Sequence, residues 1–160
     1  MSKRYLFIFL FLSTILFSKE IHFKEVKYIY ALDNELYKTG TLNIDKDEIV
    51  LHYRNSTKNI VYTDTNIQII TKDALEIYTH EESVEYNLFF QLVLGIYTNN
   101  SQLLVDNFTI EKNDNTITLL PNEYLSSVIE KIEYEKNNDK LKYLKIYFVN
   151  QDRITIEEIK

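Results

Sequence analysis

The sequence predicts a mainly β protein, an antiparallel sheet of about ten or eleven strands that curls toward a barrel and is interrupted by two or three short helices. Three observations predict it. Polar turn clusters recur, often about ten residues apart, the spacing of successive hairpins. Between them, Ile, Val, Tyr, Thr and Phe alternate with polar residues at period two. One stretch, by contrast, is apolar around most of a helical circumference.

The turns are made without the usual residues. The chain of 160 residues has two glycines and one proline. Asn, Asp and Lys take their place at Asp33-Asn34, Asp45-Lys46-Asp47, Asp64-Thr65-Asn66, Lys72-Asp73, Asn113-Asp114-Asn115, Asn137-Asn138-Asp139 and Asn150-Gln151-Asp152. Asn and Asp tolerate turn conformations and hydrogen-bond their own backbone there.

The strands follow from alternation. Leu42 and Ile44 share a face, as do Ile49, Leu51 and Tyr53, then Ile67 and Ile69, then Ile117 and Leu119. Near the end, Leu144, Ile146 and Phe148 oppose Tyr143, Lys145 and Tyr147, and Ile154 and Ile156 alternate with Arg153, Thr155 and Glu157. Such a sheet has one covered face and one wet face.

Residues 83–94 predict a helix. Ser83 is its expected N-cap, and Glu85 falls in the first turn, where the helix dipole favours negative charge. Gly95 is expected to end it in a left-handed conformation. Ser83, Asn87 and Gln91 make a narrow polar stripe, while Leu88, Phe89, Phe90, Leu92, Val93 and Leu94 are apolar. A helix this apolar either fills a core or covers something hydrophobic. Residues 101–107 predict a second short helix, and residues 122–127, after Pro121, a third helical turn.

Residues 1–18 read as a signal peptide. Lys3 and Arg4 precede an uncharged run of 13 residues, 5–17, that ends at Ser18. At about 1.5 Å per residue that run covers about 20 Å, short of a hydrocarbon core of about 30 Å. Cleavage is therefore favoured over retention as an anchor, although Leu16 departs from the small-x-small pattern. The expected mature chain is a single domain, residues 19–160, in the periplasm. It has no cysteine, so it has no disulfide staples and no lipid-accepting lipoprotein cysteine.

The full chain carries 18 basic and 24 acidic residues, and loss of Lys3 and Arg4 leaves 16 against 24, a net charge of −8. That argues against nucleic acid and against simple attachment to anionic lipid. Catalytic patterns fail one by one. His22, His52 and His80 have no zinc-like spacing, and His80-Glu81-Glu82 reads as a solvated loop. Ser56, Ser83, Ser101, Ser126 and Ser127 lack a nucleophile elbow. Gly40 and Gly95 alone cannot build a phosphate loop. The carboxylates alternate with lysines along strand faces, and nothing singles out a glycosidase pair. The expectation is no enzyme, no metal and no cofactor. The tyrosines suit either half-buried strand positions or a ligand groove.

The order of features carries a resemblance. Two strands lead into Tyr37-Lys-Thr-Gly40-Thr-Leu-Asn-Ile44. A polar turn and a strand ending in His52-Tyr53-Arg54 follow, then Asn59-Ile-Val-Tyr-Thr-Asp-Thr-Asn66 and another strand. The apolar helix and a second short helix interrupt the sheet. Phe108-Thr-Ile then leads to Leu119-Leu-Pro121 and three closing strands. From about residue 23 to 160 this order resembles the LolA family of periplasmic lipoprotein carriers. Its members show a Gly-x-Leu strand, a strand and turn before an Asp-Gly, mid-chain lid helices, a Leu-x-Pro and closing hairpins.

The resemblance implies an unclosed antiparallel barrel whose concave face is capped by a helical lid. It implies a monomeric carrier that holds the acyl chains of lipoproteins and shuttles them from the inner to the outer membrane. Its implied partners are an inner-membrane lipoprotein-releasing transporter and an outer-membrane acceptor. The missing cysteine favours the carrier over the lipid-anchored receptor. Two features depart from the family. Lys46-Asp47 stands where the family usually has Arg-Pro, an arginine associated with holding the lid, and lysine lacks its planar five-donor fork. The usual N-terminal helix is nearly absent.

The expected acyl cavity and lid comprise Leu42, Ile49, Leu51, Leu88, Phe89, Leu92 and Val93, with Lys46 at the latch position. The alternatives are a lipid-binding protein of the same fold with non-lipoprotein cargo, and a scaffold that binds protein through a sheet edge.

Overall fold

A computed structural model describes residues 18–160. The expected signal peptide, apart from Ser18, lies outside the described residues. Eleven strands form one sheet among them: β1 (Lys19–Ile29), β2 (Asn34–Ile44), β3 (Glu48–Tyr53), β4 (Asn59–Thr63), β5 (Ile67–Ile70), β6 (Leu75–Tyr78), β7 (Phe108–Asn113), β8 (Thr116–Pro121), β9 (Ile129–Asn137), β10 (Lys140–Phe148) and β11 (Arg153–Ile159). Two helices, α1 (Val84–Tyr97) and α2 (Gln102–Val105), lie between β6 and β7.

The sheet order is β6-β5-β4-β3-β2-β1-β11-β10-β9-β8-β7, and every pair is antiparallel. Strands adjacent in the chain pair as hairpins. The exception sits in the middle, where β1 pairs with β11 from His22 opposite Ile159 to Tyr28 opposite Arg153. The chain leaves the sheet at one edge, β6, passes through α1 and α2, and re-enters at the other edge, β7. Those edges do not pair with each other. The result is a curved, unclosed barrel with its helices over the concave face.

Period-two alternation sets that face. Ile21 and Phe23 of β1, Leu42 and Ile44 of β2, Ile49 and Leu51 of β3, Ile132 of β9 and Leu144 of β10 are all buried. They join Phe90, Leu92, Val93 and Ile96 of α1 in one core. Two irregularities in the β9–β10 register, between Leu141 and Tyr143 and between Tyr147 and Phe148, bring Leu141 and Ile129 onto the same buried side despite their odd spacing. The outer face is wet. There Lys24, Lys131, Lys145 and Arg153 lie over the rings of Tyr37, Tyr147, Tyr143 and Tyr28 at 4.8–5.9 Å. These four tyrosines thus serve as strand residues under cations.

The turns use left-handed backbone without glycine. Asp33 (φ 44°), Asp114 (φ 53°), Asn138 (φ 56°) and Gln151 (φ 70°) each sit in one of the expected turns. Asp and Asn tolerate this region best among residues with a Cβ.

The helices differ from expectation in three respects. Helix α1 runs on to Tyr97, so Gly95 is inside it and does not end it; no glycine has a positive φ. The left-handed residue after the helix is Asn99 (φ 54°). Ser83 makes no side-chain cap. Residues 122–128 form successive turns, with bonds such as Ser126 N–H to Asn122 O, but not a third helix. The other end of α1 is tied firmly. Lys136 of β9 donates to Ile96 O at 2.8 Å and Asn99 Oδ1 at 2.9 Å, a cation at the negative end of the helix dipole. Burial pushes that ammonium's pKa down.

Candidate functional site

Helix α1 does not lie flat on the sheet. Its middle and C-terminal half plug the concave face. Its N-terminal half stands away from β9, β10 and β11 and leaves a groove of about 550 Å³. That is within the roughly 300–1,000 Å³ of small-molecule sites. Leu88, Phe89 and Leu92 form the helix wall. Ile129, Ile146, Phe148 and Ile154 form the sheet wall, and Tyr124, Leu125 and Val128 of the loop after Pro121 form one end. Tyr124, Val128 and Val84 are exposed at its rim. A second space lies deeper, under the C-terminal half of α1. It is a small apolar void of about 20 Å³ lined by residues that include Phe23, Leu42, Val93, Leu144 and Ile156. Phe89 borders both spaces.

The expected site residues therefore divide. Leu88, Phe89 and Leu92 come together on the groove. Leu42 and Val93 meet Phe89 at the small void. Leu51 is 2% exposed and lies in the core. Ile49 and Lys46 border a separate hollow beside Leu94, at the β2–β3 turn. Lys46 is exposed there. The groove's sheet wall was visible only as alternation in β10 and β11. Ile129 gave no signal, because it is out of phase with Ile132 and Tyr134.

The polar stripe of α1 faces protein. Tyr62 donates to Asn87 Oδ1 at 3.3 Å, and Asn107 donates to Gln91 Oε1 at 3.3 Å. Lys58 Nζ bonds Tyr86 at 3.0 Å. These bonds tie the helix to β4 and to the loop before β7. Its groove side is apolar apart from Glu85 in the first turn.

Two carboxylates intrude on the concave face, each taking a tyrosine hydroxyl. Tyr53 donates to Glu25 Oε2 at 2.6 Å, and Glu25 is 8% exposed. Tyr97 donates to Glu158 at 3.1 Å, and Leu141 N–H to the same oxygen at 3.0 Å. Burial first, then the adjacent carboxylate charge, pushes both hydroxyl pKa values well above the ordinary 10.0.

The histidines do not converge. His22 faces Glu20 at 3.0 Å on the wet side, and His52 Nδ1 lies 2.7 Å from Asn59 Oδ1. The loop at His80 is not simply solvated. His80 stacks on Tyr62 at 4.9 Å, and its Nε2 lies 3.0 Å from Thr63 O. Among the described residues no cluster of three potential metal ligands occurs, and no helix is long and apolar enough to cross a membrane.

No protein-family model matches the chain, and no curated protein matches it. Among solved structures, the chain is similar to that of a LolA superfamily protein from Nitrosomonas europaea, at a TM-score of 0.41 and 6% identity, over 89% of this chain and 84% of that one.

Proposed function

We propose that this protein is a non-enzymatic carrier of acyl chains, exported to the periplasm, which takes acylated lipoproteins or lipid from the inner membrane toward the outer. One observation carries the reading: the groove of about 550 Å³ walled by Leu88, Phe89 and Leu92 on one side and Ile129, Ile146, Phe148 and Ile154 on the other. Each methylene buried there contributes about 0.8 kcal/mol. Helix α1 is the lid, held by polar bonds along one flank and at its C-terminal end. Only apolar contact closes its N-terminal half on the groove side, so that half can part from β9–β11 while the bonds of Lys136 and Tyr97 hold the C-terminal end. The order of sequence features supports the finer reading of a lipoprotein carrier. That reading brings with it an inner-membrane releasing transporter and an outer-membrane acceptor.

The test is native mass spectrometry of the protein purified gently from its own compartment. An adduct of several kilodaltons that fragments to an acylated peptide supports the lipoprotein carrier. A sub-kilodalton adduct keeps the carrier and changes its cargo. A bare chain that also ignores a hydrophobic fluorescent probe overturns the reading.

A second reading has its own observation. Edge strand β6 exposes Leu75 and Ile77, 58% and 59% accessible. An apolar unpaired edge is a template for strand addition by a partner. The bare-chain outcome above selects it.

A further inference from the structure

One side chain on the groove's sheet wall breaks the apolar pattern. Lys27 follows Ile21, Phe23 and Glu25 on the concave side of β1, opposite Ile154 of β11. It lines the groove with Ile154, Ile146 and Phe148. Its neighbours' cations are occupied. Lys24 lies over Tyr37, Lys38 over Tyr53 and Arg153 over Tyr28. Lys58 and Lys136 are hydrogen-bonded. Among the described residues Lys27 has no hydrogen bond, no carboxylate within 4.0 Å and no ring beneath it. Two carboxylates stand near. Glu25, two positions along the same face, is already bonded by Tyr53. Glu85, across the groove on α1, is exposed and sits in the helix's first turn, where the dipole accounts for it.

A half-buried ammonium facing a mostly apolar groove with no anion bonded to it is costly unless something supplies one. The groove's volume says how much chain comes with it. At about 550 Å³ it falls within the size range of sites that hold one small molecule, which suits a single acyl chain.

Resting on the acyl-carrier reading above, in its lipid rather than its lipoprotein form, we infer that the cargo of this groove is a single-chain amphiphile with an anionic headgroup, carboxylate or phosphate, whose charge pairs with Lys27.

The experiment is displacement of a fluorescent probe by three ligands of equal chain length: hexadecanoate, a palmitoyl lysophosphatidate and hexadecanol. The purified protein is compared with Lys27→Met, which keeps the length of the side chain and removes the charge. The expected result is an anion preference of roughly tenfold or more over the alcohol, lost in K27M while alcohol binding is unchanged. The order of the two anions tells carboxylate from phosphate. Equal affinity for anion and alcohol, or a preference that survives in K27M, overturns the inference and leaves the carrier standing. Displacement by none of the three sinks the carrier reading itself.

Discussion

Gly95 and Leu104 are in closer contact than any other residue at position 95 would permit. A Cβ on Gly95 would fall 2.8 Å from both Cγ and Cδ2 of Leu104, and Leu104 is 2% exposed. The glycine is there for the approach of α2 to α1. Alanine in a helix interior ordinarily gains up to about 1 kcal/mol over glycine. Here Gly95→Ala is expected to destabilise by about 1–3 kcal/mol through overpacking. In a Leu104→Ala background the sign should reverse, since the obstacle is gone. Urea midpoints of the four proteins decide it. A cost that is the same in both backgrounds rejects the contact as its cause.

The hydroxyl of Tyr53 is expected to matter more than its ring. Tyr53→Phe keeps the edge-on packing against Phe23, at 5.7 Å, and removes the hydrogen bond to Glu25. The carboxylate is then buried without that donor, at a cost of roughly 1–3 kcal/mol. Adding Glu25→Gln should recover part of it, because a neutral amide is cheaper to bury than a charge. Denaturation of the single and double variants reads this directly. If Y53F is neutral, the bond contributes nothing to stability.

Tyr53 and Tyr97 also predict an alkaline limit. Both hydroxyls have raised pKa values in the folded protein, from burial first and from Glu25 and Glu158 next. Above the ordinary value of 10.0 the unfolded chain releases those protons while the folded chain keeps them. Stability from these groups is complete below about pH 10 and falls above it, by about 1.4 kcal/mol per pH unit for each group. Thermal melts between pH 8 and 11.5 should show the decline, and Tyr97→Phe should make it shallower. A Tm flat across that range contradicts the assignment.

Much of the fold was legible because its signals are local. Asn and Asp clusters marked the hairpins, and Leu144, Ile146 and Phe148 announced the buried face of β10. The start of α1 was legible, since Ser83 does stand at its N-cap position, but its C-terminal end was not. Gly95 looks like a terminator in sequence, and only the approach of Leu104, nine residues on, explains it. The groove was half legible. Leu88, Phe89 and Leu92 stand out on an apolar helix, but their partner Ile129 is hidden by a register irregularity. Ile49 and Leu51 carry the same alternation as a cavity wall and are buried elsewhere on the sheet. Period two says that a residue faces inward, not which part of the interior it meets.

The role of Phe89 follows from where it stands. It borders both the groove and the small void of about 20 Å³, and its ring meets Phe90 edge-on at 5.3 Å. Phe89→Ala should join the two spaces and add the volume of the ring. The variant should stay folded, since Phe89 is only half-buried, and lose less than the 3–5 kcal/mol typical of a fully buried Phe→Ala change. In the wild type each added methylene should raise affinity by about 0.8 kcal/mol until the groove is full, after which it gains nothing. In F89A that limit should move out by about two to four methylenes, because a longer chain reaches under the C-terminal half of α1 toward Leu42 and Val93. Probe displacement by an acyl series of increasing length measures both limits. A plateau at the same length in both proteins means that the ring does not bound the chain, and that the acyl end lies elsewhere in the groove.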